Sequence, residues 1–539
     1  MEGPADNNLQ PHNHEKAHEP RTADASATTT TTNNVDTTSN TKDEAVTIVG
    51  DHAKAIDPAV ERRVLRKIDA FLLPAMVVGY GLVYYDKAIL GSAVLFGMTG
   101  DLHLSVVDNS TSPPTTSTQR LSWATSLFYF GMLAGLYPMS FALQRFNLGR
   151  VLGGLVVVWG VICMLTAAVQ DWQGLFAQRF FLGFVESVIP TGFSCLITSY
   201  YTQREQTFRQ AWWFSGTGLF TIIGSALNYG FGQITGGDLR RWQYIYLLAG
   251  ALTVLFGGWC FAVPASPVNA WFLTPEERIV AVERLRQGQT GVRCQTIKGY
   301  QIKEALMDVK TYLIFMMMMC AYTVNGAVSG FGPLIVSTFG WNTLQSILLQ
   351  FPIGGISWLG ILAAGFVPLY VPNVRIIILI TCCLPVIAGC AMVWQPTWSY
   401  HAAAPVVGYS IIGFFGPVVS LVIALGMSNV AGATKKSFMS AAIFVAYCVG
   451  IAALHRHRFQ TYAYLPLPGN IIGPQLIKIQ TRREHYPELW TGLIIFYCIT
   501  IAASVALYFV LWRENKRRGS LPVDQEEADR LAFQDLTDK

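Results

Sequence analysis

The chain has 539 residues, of which 52% are hydrophobic, 12% are aromatic and only 13% are charged. Soluble domains carry about 25% charged residues, so this composition excludes an ordinary soluble protein and indicates one that lies in a lipid bilayer. The net charge of +5 is modest, and the basic residues stand in short clusters between apolar runs, which is typical of membrane topology and not of a nucleic-acid-binding face.

The chain begins with a polar stretch, residues 1–58, that is rich in Thr, Asn and Asp. Such a segment has too little apolar surface to form a folded core. We predict that it is a disordered cytosolic tail without a signal peptide.

Twelve apolar stretches follow this tail, and a helix needs about 20 apolar residues to cross the hydrocarbon core. They are 70–92, 121–142, 151–170, 175–200, 211–232, 243–263, 311–332, 343–365, 374–395, 403–426, an irregular eleventh that starts at 438, and 490–512. The longest polar interruption, 264–310, falls between the sixth and seventh and contains a helix start at Thr274-Pro275. We therefore predict an all-α membrane protein of twelve transmembrane helices, as two six-helix bundles (59–263 and 311–512) joined by a cytosolic connector (264–310).

The distribution of Lys and Arg predicts the orientation of these spans. Basic clusters before span 1, in the connector and after span 12 fall on one side if the spans alternate, and the side richer in Lys and Arg is cytosolic. Both termini, including a tail at 513–539, are therefore expected in the cytosol. The loop 101–120 is then external, and its sequon Asn109-Ser110-Thr111 makes Asn109 a candidate glycosylation site.

The eleventh stretch is interrupted. Its apolar parts, 438–450 and 470–478, contain 13 and 9 residues and are each too short to cross, but joined directly they make 22, the length of one span. Residues 451–469 are therefore an insertion of 19 residues. Two origins are open: a re-entrant element that is buried in protein or lines a cavity, or a translated intron. We favour the intron, and sequencing the transcript decides between them.

Four charged residues lie away from the ends of the predicted spans, namely Asp86 and Lys87 in span 1 and Arg179 and Glu186 in span 4. An ionised side chain at mid-bilayer costs at least ~2.5–3.5 kcal/mol on insertion scales, so such residues face a cavity or a partner. Adjacent residues on a helix point about 100° apart, so Asp86 and Lys87 should meet different neighbours. Arg179 and Glu186 lie two turns apart on nearly one face, and Gly183 between them permits close helix approach. Two interpretations are open: ion pairs that only fix helix packing, or a relay that carries a proton and attracts an anion.

Five amide side chains also fall within spans: Asn228, Asn325, Gln350, Asn470 and Gln475. Each either hydrogen-bonds another helix or lines a transport cavity. The sequence contains no Gly-rich phosphate loop, no His/Cys cluster with zinc spacing and no nucleophile elbow. We therefore expect no enzyme activity, no metal and no cofactor.

Several motifs resemble a known family. The segment LQRFNLGR at 143–150 resembles a degenerate form of the major facilitator superfamily loop between spans 2 and 3, and it keeps Arg145, Gly149 and Arg150 but lacks the acidic residue. The segment RFFLGFVES at 179–187 resembles the Arg-x-x-x-Gly element of span 4. YYDKAILGSAVLFGMTGDLHL, SWATSLFYFGMLAGLYP, WFLTPEERIVAVERLRQGQTGV, GFGPLIVSTFGW, QFPIGG, NVAGATKK and GNIIGPQ resemble the fungal allantoate permease family, in the anion:cation symporter branch.

The resemblance implies a multi-pass plasma-membrane transporter that works by alternating access, functions as a monomer and uses the proton gradient to take up a small organic anion of the allantoate, ureide or vitamin carboxylate type. Lys87 and Arg179 would draw the anion, and Asp86 or Glu186 would carry the proton. Arg145, Gly149 and Arg150 would form a cytoplasmic gating loop. Two alternatives are an exporter of a fungal secondary metabolite and a nutrient sensor with a transporter fold.

Overall fold

The computed structural model describes residues 57–108, 115–117, 119–234, 236–287, 298–371, 373–394, 402–448 and 486–518. Spans 1 to 6 are the helices Pro58–Ala93, Gln119–Arg145, Leu148–Leu165, Trp172–Glu186 with Val188–Tyr200, Gln203–Phe214 with Gly216–Gly232, and Arg241–Cys260. Spans 7 to 12 are Val309–Ala321 with Thr323–Ser337, Thr343–Leu348 with Gln350–Tyr370, Arg375–Trp394, Ala403–Ile411 with Phe415–Ser428, Ala433–Cys448, and Pro487–Arg518. All twelve predicted spans therefore contain a described helix.

Ten helices in the described residues are long and apolar enough to cross a membrane. Spans 5 and 11 do not reach that standard. The second helix of span 5 is rich in Gly, Ser and Thr and carries Asn228, and the described helix of span 11 has only 16 residues. The polar face of span 5 lines a cavity.

Span 1 begins earlier than the predicted residue 70. Asp57 caps the helix by accepting a hydrogen bond from the backbone N–H of Ala59 at 2.9 Å, and Pro58 occupies the first helical position, where its missing N–H costs nothing. The added turns bury Val64 and Ile68. Span 1 therefore reaches the end of the molecule that carries the connector, which we call the connector face.

Three spans break where the sequence places a proline. Spans 4, 8 and 10 each restart with proline at the third position of their second helix, at Pro190, Pro352 and Pro417. Proline has no N–H to bond the carbonyl four residues earlier, so each helix bends there. Pro385 differs from these three, because it lies inside the unbroken helix Arg375–Trp394.

The described chain departs from an all-α fold at one point. Strand β1 (Val106–Asp108) pairs antiparallel with β2 (Thr115–Ser117), with Val106 opposite Ser117. This short pair lies in the loop after span 1. Before it, span 1 ends in the π-helical turn Val94–Met98, where Gly97 has φ +99°, a conformation that glycine adopts without strain.

The two bundles meet through glycines. A Cβ at Gly218 in span 5 would lie 2.4 Å from the backbone N of Trp358 in span 8, and one at Gly91 in span 1 would lie 3.0 Å from the carbonyl oxygen of Gly330 in span 7. Small residues let helix backbones approach closely in membranes. The bundles therefore touch backbone to backbone along these two seams.

The connector contains two described helices, Pro275–Gln287 and Gly299–Met307. The first has the predicted cap, with the Thr274 hydroxyl accepting from the N–H of Glu277 at 3.3 Å. It is bound to the first bundle by the buried Arg284, which pairs with Glu61 and Glu205. The second helix is bound to the other bundle, where Glu304 pairs with Lys435 at 2.8 Å.

Several predictions lie outside the described residues. These are the tail up to residue 56, the candidate glycosylation site Asn109, the insertion 451–469, and Asn470 and Gln475. The helix of span 12 continues to Arg518, so the predicted C-terminal tail at 513–539 starts within it.

Candidate functional site

The predicted charged residues of spans 1 and 4 come together inside the first bundle. Lys87 pairs with Glu186 through its Nζ and the Oε1 atom of the carboxylate. Both side chains are buried. Lys87 Nζ also donates to the carbonyl oxygen of Val83 at 3.2 Å and lies 5.0 Å from the centre of the Phe128 ring. Spans 1 and 4 are thus linked by a buried ion pair.

Asp86 turns away from this pair, as the helical offset predicted. Its Oδ2 accepts from Trp159 Nε1 at 3.2 Å, and its Oδ1 accepts from Cys163 Sγ at 3.3 Å. Both donors lie on span 3. The prediction that Asp86 and Lys87 meet different neighbours is therefore confirmed, and Asp86 has a donor on each of its oxygens.

Arg179 binds the hydroxyl of Tyr246 in span 6 and lies 5.6 Å from the centre of that ring. It is buried and lies within electrostatic range of Asp86 and Glu186. The four charges therefore form one cluster, which we call the charged quartet: Asp86, Lys87, Arg179 and Glu186. With all four ionised its net charge is zero.

Gly183 makes this arrangement possible. A Cβ there would lie 1.9 Å from the carbonyl oxygen of Phe128 in span 2, and one at Gly131 in span 2 would lie 1.9 Å from the carbonyl oxygen of Phe180 in span 4. Spans 2 and 4 can cross at this depth only because neither residue has a side chain. The close approach expected from the sequence is found here.

The two oxygens of Glu186 differ in their surroundings. Oε1 is held by Lys87, whereas the buried Oε2 has no hydrogen-bond partner among the described residues. A buried polar oxygen without a partner is costly and calls for an explanation. A proton on this oxygen would relieve the cost.

A tyrosine cluster lies beside the quartet and was not anticipated from the sequence. It contains Tyr80 and Tyr84 of span 1, Tyr129 of span 2, Tyr322 of span 7 and Tyr447 of span 11. The rings of Tyr322 and Tyr447 are 4.2 Å apart, and those of Tyr129 and Tyr447 are 5.9 Å apart. Tyr80 and Tyr447 lie within electrostatic range of Glu186, so residues from both bundles surround the ion pair.

A cavity lies between the bundles, lined by residues of spans 1, 5, 7, 8 and 10. Two of the predicted amides, Asn228 and Gln350, are in its wall, together with Tyr84 of the tyrosine cluster. Asn325 is buried in span 7 and is not among the residues that line this cavity. The structure therefore brings two of the predicted amides to one cavity and places a third elsewhere.

The predicted gating loop lies at the end of span 2. Arg145 and Arg150 are exposed, and the backbone N–H of Arg150 is capped by Asn147 at 3.3 Å. A Cβ at Gly149 would lie 2.5 Å from the carbonyl oxygen of Val263, just after span 6. Gly149 therefore packs within the first bundle. Among the described residues, no group of three or more His, Cys, Asp or Glu side chains could hold a metal ion.

Two bundles of six helices with a polar cavity between them and buried charges beside it are the architecture of a membrane transporter. The sequence profile of the Major Facilitator Superfamily matches residues 76–454, and the chain belongs to this family. It is a multi-pass membrane protein and a secondary active transporter of small molecules.

The relatives are fungal transporters. An uncharacterized transporter of Schizosaccharomyces pombe is 33% identical over 90% of this chain and 89% of its own length. The allantoate permease of Saccharomyces cerevisiae is 29% identical over 92% of this chain and 88% of its own, and the thiamine pathway transporter THI73 of the same yeast is 28% identical over 88% and 84%. The predicted resemblance to the allantoate permease family is confirmed.

A solved structure shares the fold. The proton:xylose symporter XylE bound to 6-bromo-6-deoxy-D-glucose superimposes with a TM-score of 0.58 at 13% identity, over 81% of this chain and 94% of that one. At this identity the likeness concerns the fold, and it confirms the predicted arrangement of twelve helices.

Proposed function

We propose that this transporter takes up a small organic anion together with a proton, and that the Lys87–Glu186 pair couples the two. The observation that carries the proposal is a fully buried ion pair beside a cavity between the two bundles. Breaking such a pair by removing one partner costs about 3–5 kcal/mol, because the other charge is left without compensation. The pair can open only if something replaces each partner.

A proton and an anion are the two replacements. A proton on Glu186 neutralises the carboxylate and releases Lys87, which can then bind the carboxylate of the substrate. A hydrogen bond to a charged group contributes about 1.5–3 kcal/mol. Neither step is favourable alone, because each leaves a net charge inside the protein.

The charge balance of the quartet leads to coupling. The empty quartet is neutral, a proton alone makes it +1, and a proton with a univalent anion makes it neutral again. Moving a net charge through the low-dielectric bundle interface is costly, so the empty and the fully loaded forms change sides readily and the half-loaded forms do not. This is the behaviour of a symporter.

Glu186 is the proton carrier in this account, and Asp86 is not. Asp86 already has a donor on each oxygen, from Trp159 and Cys163, and it holds the positive charge of Arg179 within the quartet. Glu186 has one oxygen without a described partner. We place Arg179 as the second cation that attracts the anion, as the sequence suggested.

The orientation and location complete the proposal. The connector face would be cytosolic, as the distribution of Lys and Arg predicts, and uptake would take place at the plasma membrane. The similarity to the allantoate permease of yeast supports a ureido carboxylate as the anion, and a vitamin carboxylate is the other type that the family resemblance implies. A single chain contains the complete quartet and cavity, which supports function as a monomer.

The test is transport by the purified full chain in proteoliposomes with an inward proton gradient. Labelled allantoate, nicotinate and pantothenate are offered separately, and the unmodified chain should accumulate at least one of them only when the gradient is present. Glu186→Gln should abolish this accumulation but keep exchange of internal for external substrate, since a permanently neutral residue 186 leaves Lys87 free for the anion. Lys87→Met should abolish both.

Glu514→Gln is the matched control. Glu514 pairs with the buried Lys310 at 3.1 Å, far along the chain at the connector end of span 12, so the same chemical change there should leave accumulation intact. Gradient-driven accumulation by Glu186→Gln would contradict the assignment of Glu186. Export of the anions from the inside with no uptake would favour the exporter alternative.

A further inference from the structure

The cavity between the bundles contains no charged side chain among its sixteen described lining residues. Its polar groups are hydroxyls and two amides, and its apolar walls include the rings of Tyr84, Phe220 and Phe415. The charges of the quartet lie outside this wall. A ligand that occupies both regions would therefore need a charged end and an uncharged, hydrogen-bonding body.

The two amides of the cavity come from opposite bundles, and each is held by a tyrosine. Tyr85 donates its hydroxyl to Asn228 Oδ1 at 3.0 Å in the first bundle. Tyr409 donates its hydroxyl to Gln350 Oε1 at 2.9 Å in the second. Both tyrosines and both amides are buried. Because a hydroxyl donor fixes the carbonyl end of an amide, the NH₂ end of each is fixed as well.

Each amide nitrogen has two N–H donors and uses one of them inside its own bundle. Asn228 Nδ2 donates to Ser92 Oγ at 2.9 Å, and Gln350 Nε2 donates to the carbonyl oxygen of Ser346 at 3.3 Å. The second N–H of each nitrogen has no acceptor among the described residues, and both residues line the cavity. The cavity wall thus presents one amide donor from each bundle.

The fold makes room for the second of these pairs. A Cβ at Gly332 in span 7 would lie 2.4 Å from the hydroxyl of Tyr409 and 2.8 Å from Gln350 Oε1. Any larger residue at this position would displace the tyrosine or the amide. The Tyr409–Gln350 pair is therefore built from three helices.

We propose that Asn228 and Gln350 determine specificity by donating hydrogen bonds to an uncharged acceptor group of the transported anion, such as a ureido or amide oxygen or a heterocyclic nitrogen. This inference rests on the proposed function, because the carboxylate end of the same anion binds at Lys87. The uncharged cavity also excludes dianions, since a second carboxylate there would be buried without a cation. Tyr85 and Tyr409 are positioning residues that hold the two amides.

The position of the donors on opposite bundles has a consequence for transport. A ureido or amide oxygen has two lone pairs, so it can accept from both amides and hold the two bundles together. A ring nitrogen has one lone pair and accepts from one amide, and an anion without any acceptor leaves both donors without a partner. Sites built to hydrogen-bond a substrate reject analogues that lack the bonding group. Specificity would therefore appear mainly in the apparent affinity for anions of equal charge and size.

The experiment uses nicotinate and benzoate, which differ only in the ring nitrogen, and allantoate against hexanoate as a second pair. Their apparent KM values are measured in proteoliposomes that contain the full chain. Accumulation of glutarate is measured in the same proteoliposomes to test whether a dianion is excluded. Asn228→Leu and Gln350→Leu should each raise the KM of allantoate about tenfold, the value of one hydrogen bond. For nicotinate, whose ring nitrogen accepts one hydrogen bond, one of the two variants should raise the KM about tenfold. The KM values of benzoate and hexanoate should stay within about twofold, and glutarate should not accumulate.

Gln178→Leu is the matched control, because Gln178 is a buried glutamine of span 4 that donates to the carbonyl oxygen of Ile162 outside the cavity. It should leave both KM values unchanged. Tyr409→Phe keeps the ring but removes the hydroxyl, and it should raise the KM of the acceptor-bearing anion by a smaller factor than Gln350→Leu.

Four results would overturn the inference. Equal losses for both members of a pair would show that the amides only hold helices together. Unchanged KM values in both leucine variants, or accumulation of glutarate, would remove the proposed role of the cavity. If the unmodified chain accumulates none of the monocarboxylates under a proton gradient, the proposed function fails first and this inference fails with it.

Discussion

Replacement of Lys87 and Glu186, singly and together, measures how strongly the buried pair contributes to folding. Lys87 is 6% exposed and Glu186 is 0% exposed, so Lys87→Met leaves a carboxylate without a cation in a place that water does not reach. Loss of one partner of a buried ion pair lowers the free energy of unfolding by about 3–5 kcal/mol. The orphaned Glu186 can relieve part of this cost by taking up a proton, so the destabilisation should be smaller at about pH 5 than at about pH 8. In the double variant Lys87→Met/Glu186→Gln both charges are gone, and most of the stability should return.

The assay is unfolding of the detergent-solubilised full chain by increasing fractions of a denaturing detergent, followed by intrinsic fluorescence. A double-mutant cycle then gives the coupling free energy of the pair. The matched control is the pair of Lys67 and Glu277, 2.6 Å apart, in which the lysine is 40% exposed. Exposed pairs contribute about 0–1 kcal/mol, so the coupling at Lys87 should exceed that of the control by about 2 kcal/mol or more. Equal coupling free energies in the two cycles would refute the view that burial strengthens the Lys87–Glu186 pair enough to prevent a proton or an anion from binding alone.

Three further predictions concern helix contacts. Gly183→Ala puts a methyl group 1.9 Å from a backbone oxygen inside one bundle, so it should destabilise the fold by about 1–3 kcal/mol. The yield of monodisperse protein in size-exclusion chromatography should therefore fall. A normal yield would contradict the close crossing of spans 2 and 4. Gly218→Ala makes a similar clash between the two bundles. Because the bundles can move apart, the variant should slow transport several-fold, and its melting temperature should fall less than that of Gly183→Ala. A larger fall in melting temperature for Gly218→Ala would contradict the close contact of the bundles at Gly218. Arg284→Gln removes the pairs with Glu61 and Glu205 and should increase proteolysis of the connector by trypsin, with unchanged cleavage as the contrary result.

Span positions could be predicted from the sequence because apolar length is a one-dimensional property. The prolines locate the helix breaks only in part, because Pro190, Pro352 and Pro417 lie at breaks but Pro385 stays within a helix. A proline removes one hydrogen bond wherever it stands, and the packing of neighbouring helices decides whether the helix also bends. The extension of span 1 from residue 58 was missed because its polar residues hide the helical pattern.

The charged residues of the site were identifiable because a charge inside an apolar run is costly wherever the run folds. Their pairing was not, since Lys87 and Glu186 are 99 residues apart along the chain and only the helix packing brings them together. Tyr322 and Tyr447 were missed for a different reason. A tyrosine in an apolar span resembles any core aromatic, and only the approach of the two bundles shows that these rings surround Glu186.

In the proposed mechanism the quartet admits a proton and a univalent anion only together. The most direct measurement is the proton flux that accompanies a pulse of labelled anion in proteoliposomes that carry the full chain, read with an internal pH dye while the membrane potential is varied with potassium and valinomycin. The charge balance of the quartet predicts one proton for each univalent anion and a transport rate that does not depend on the membrane potential. Anion uptake that the potential drives without acidification of the interior would contradict it.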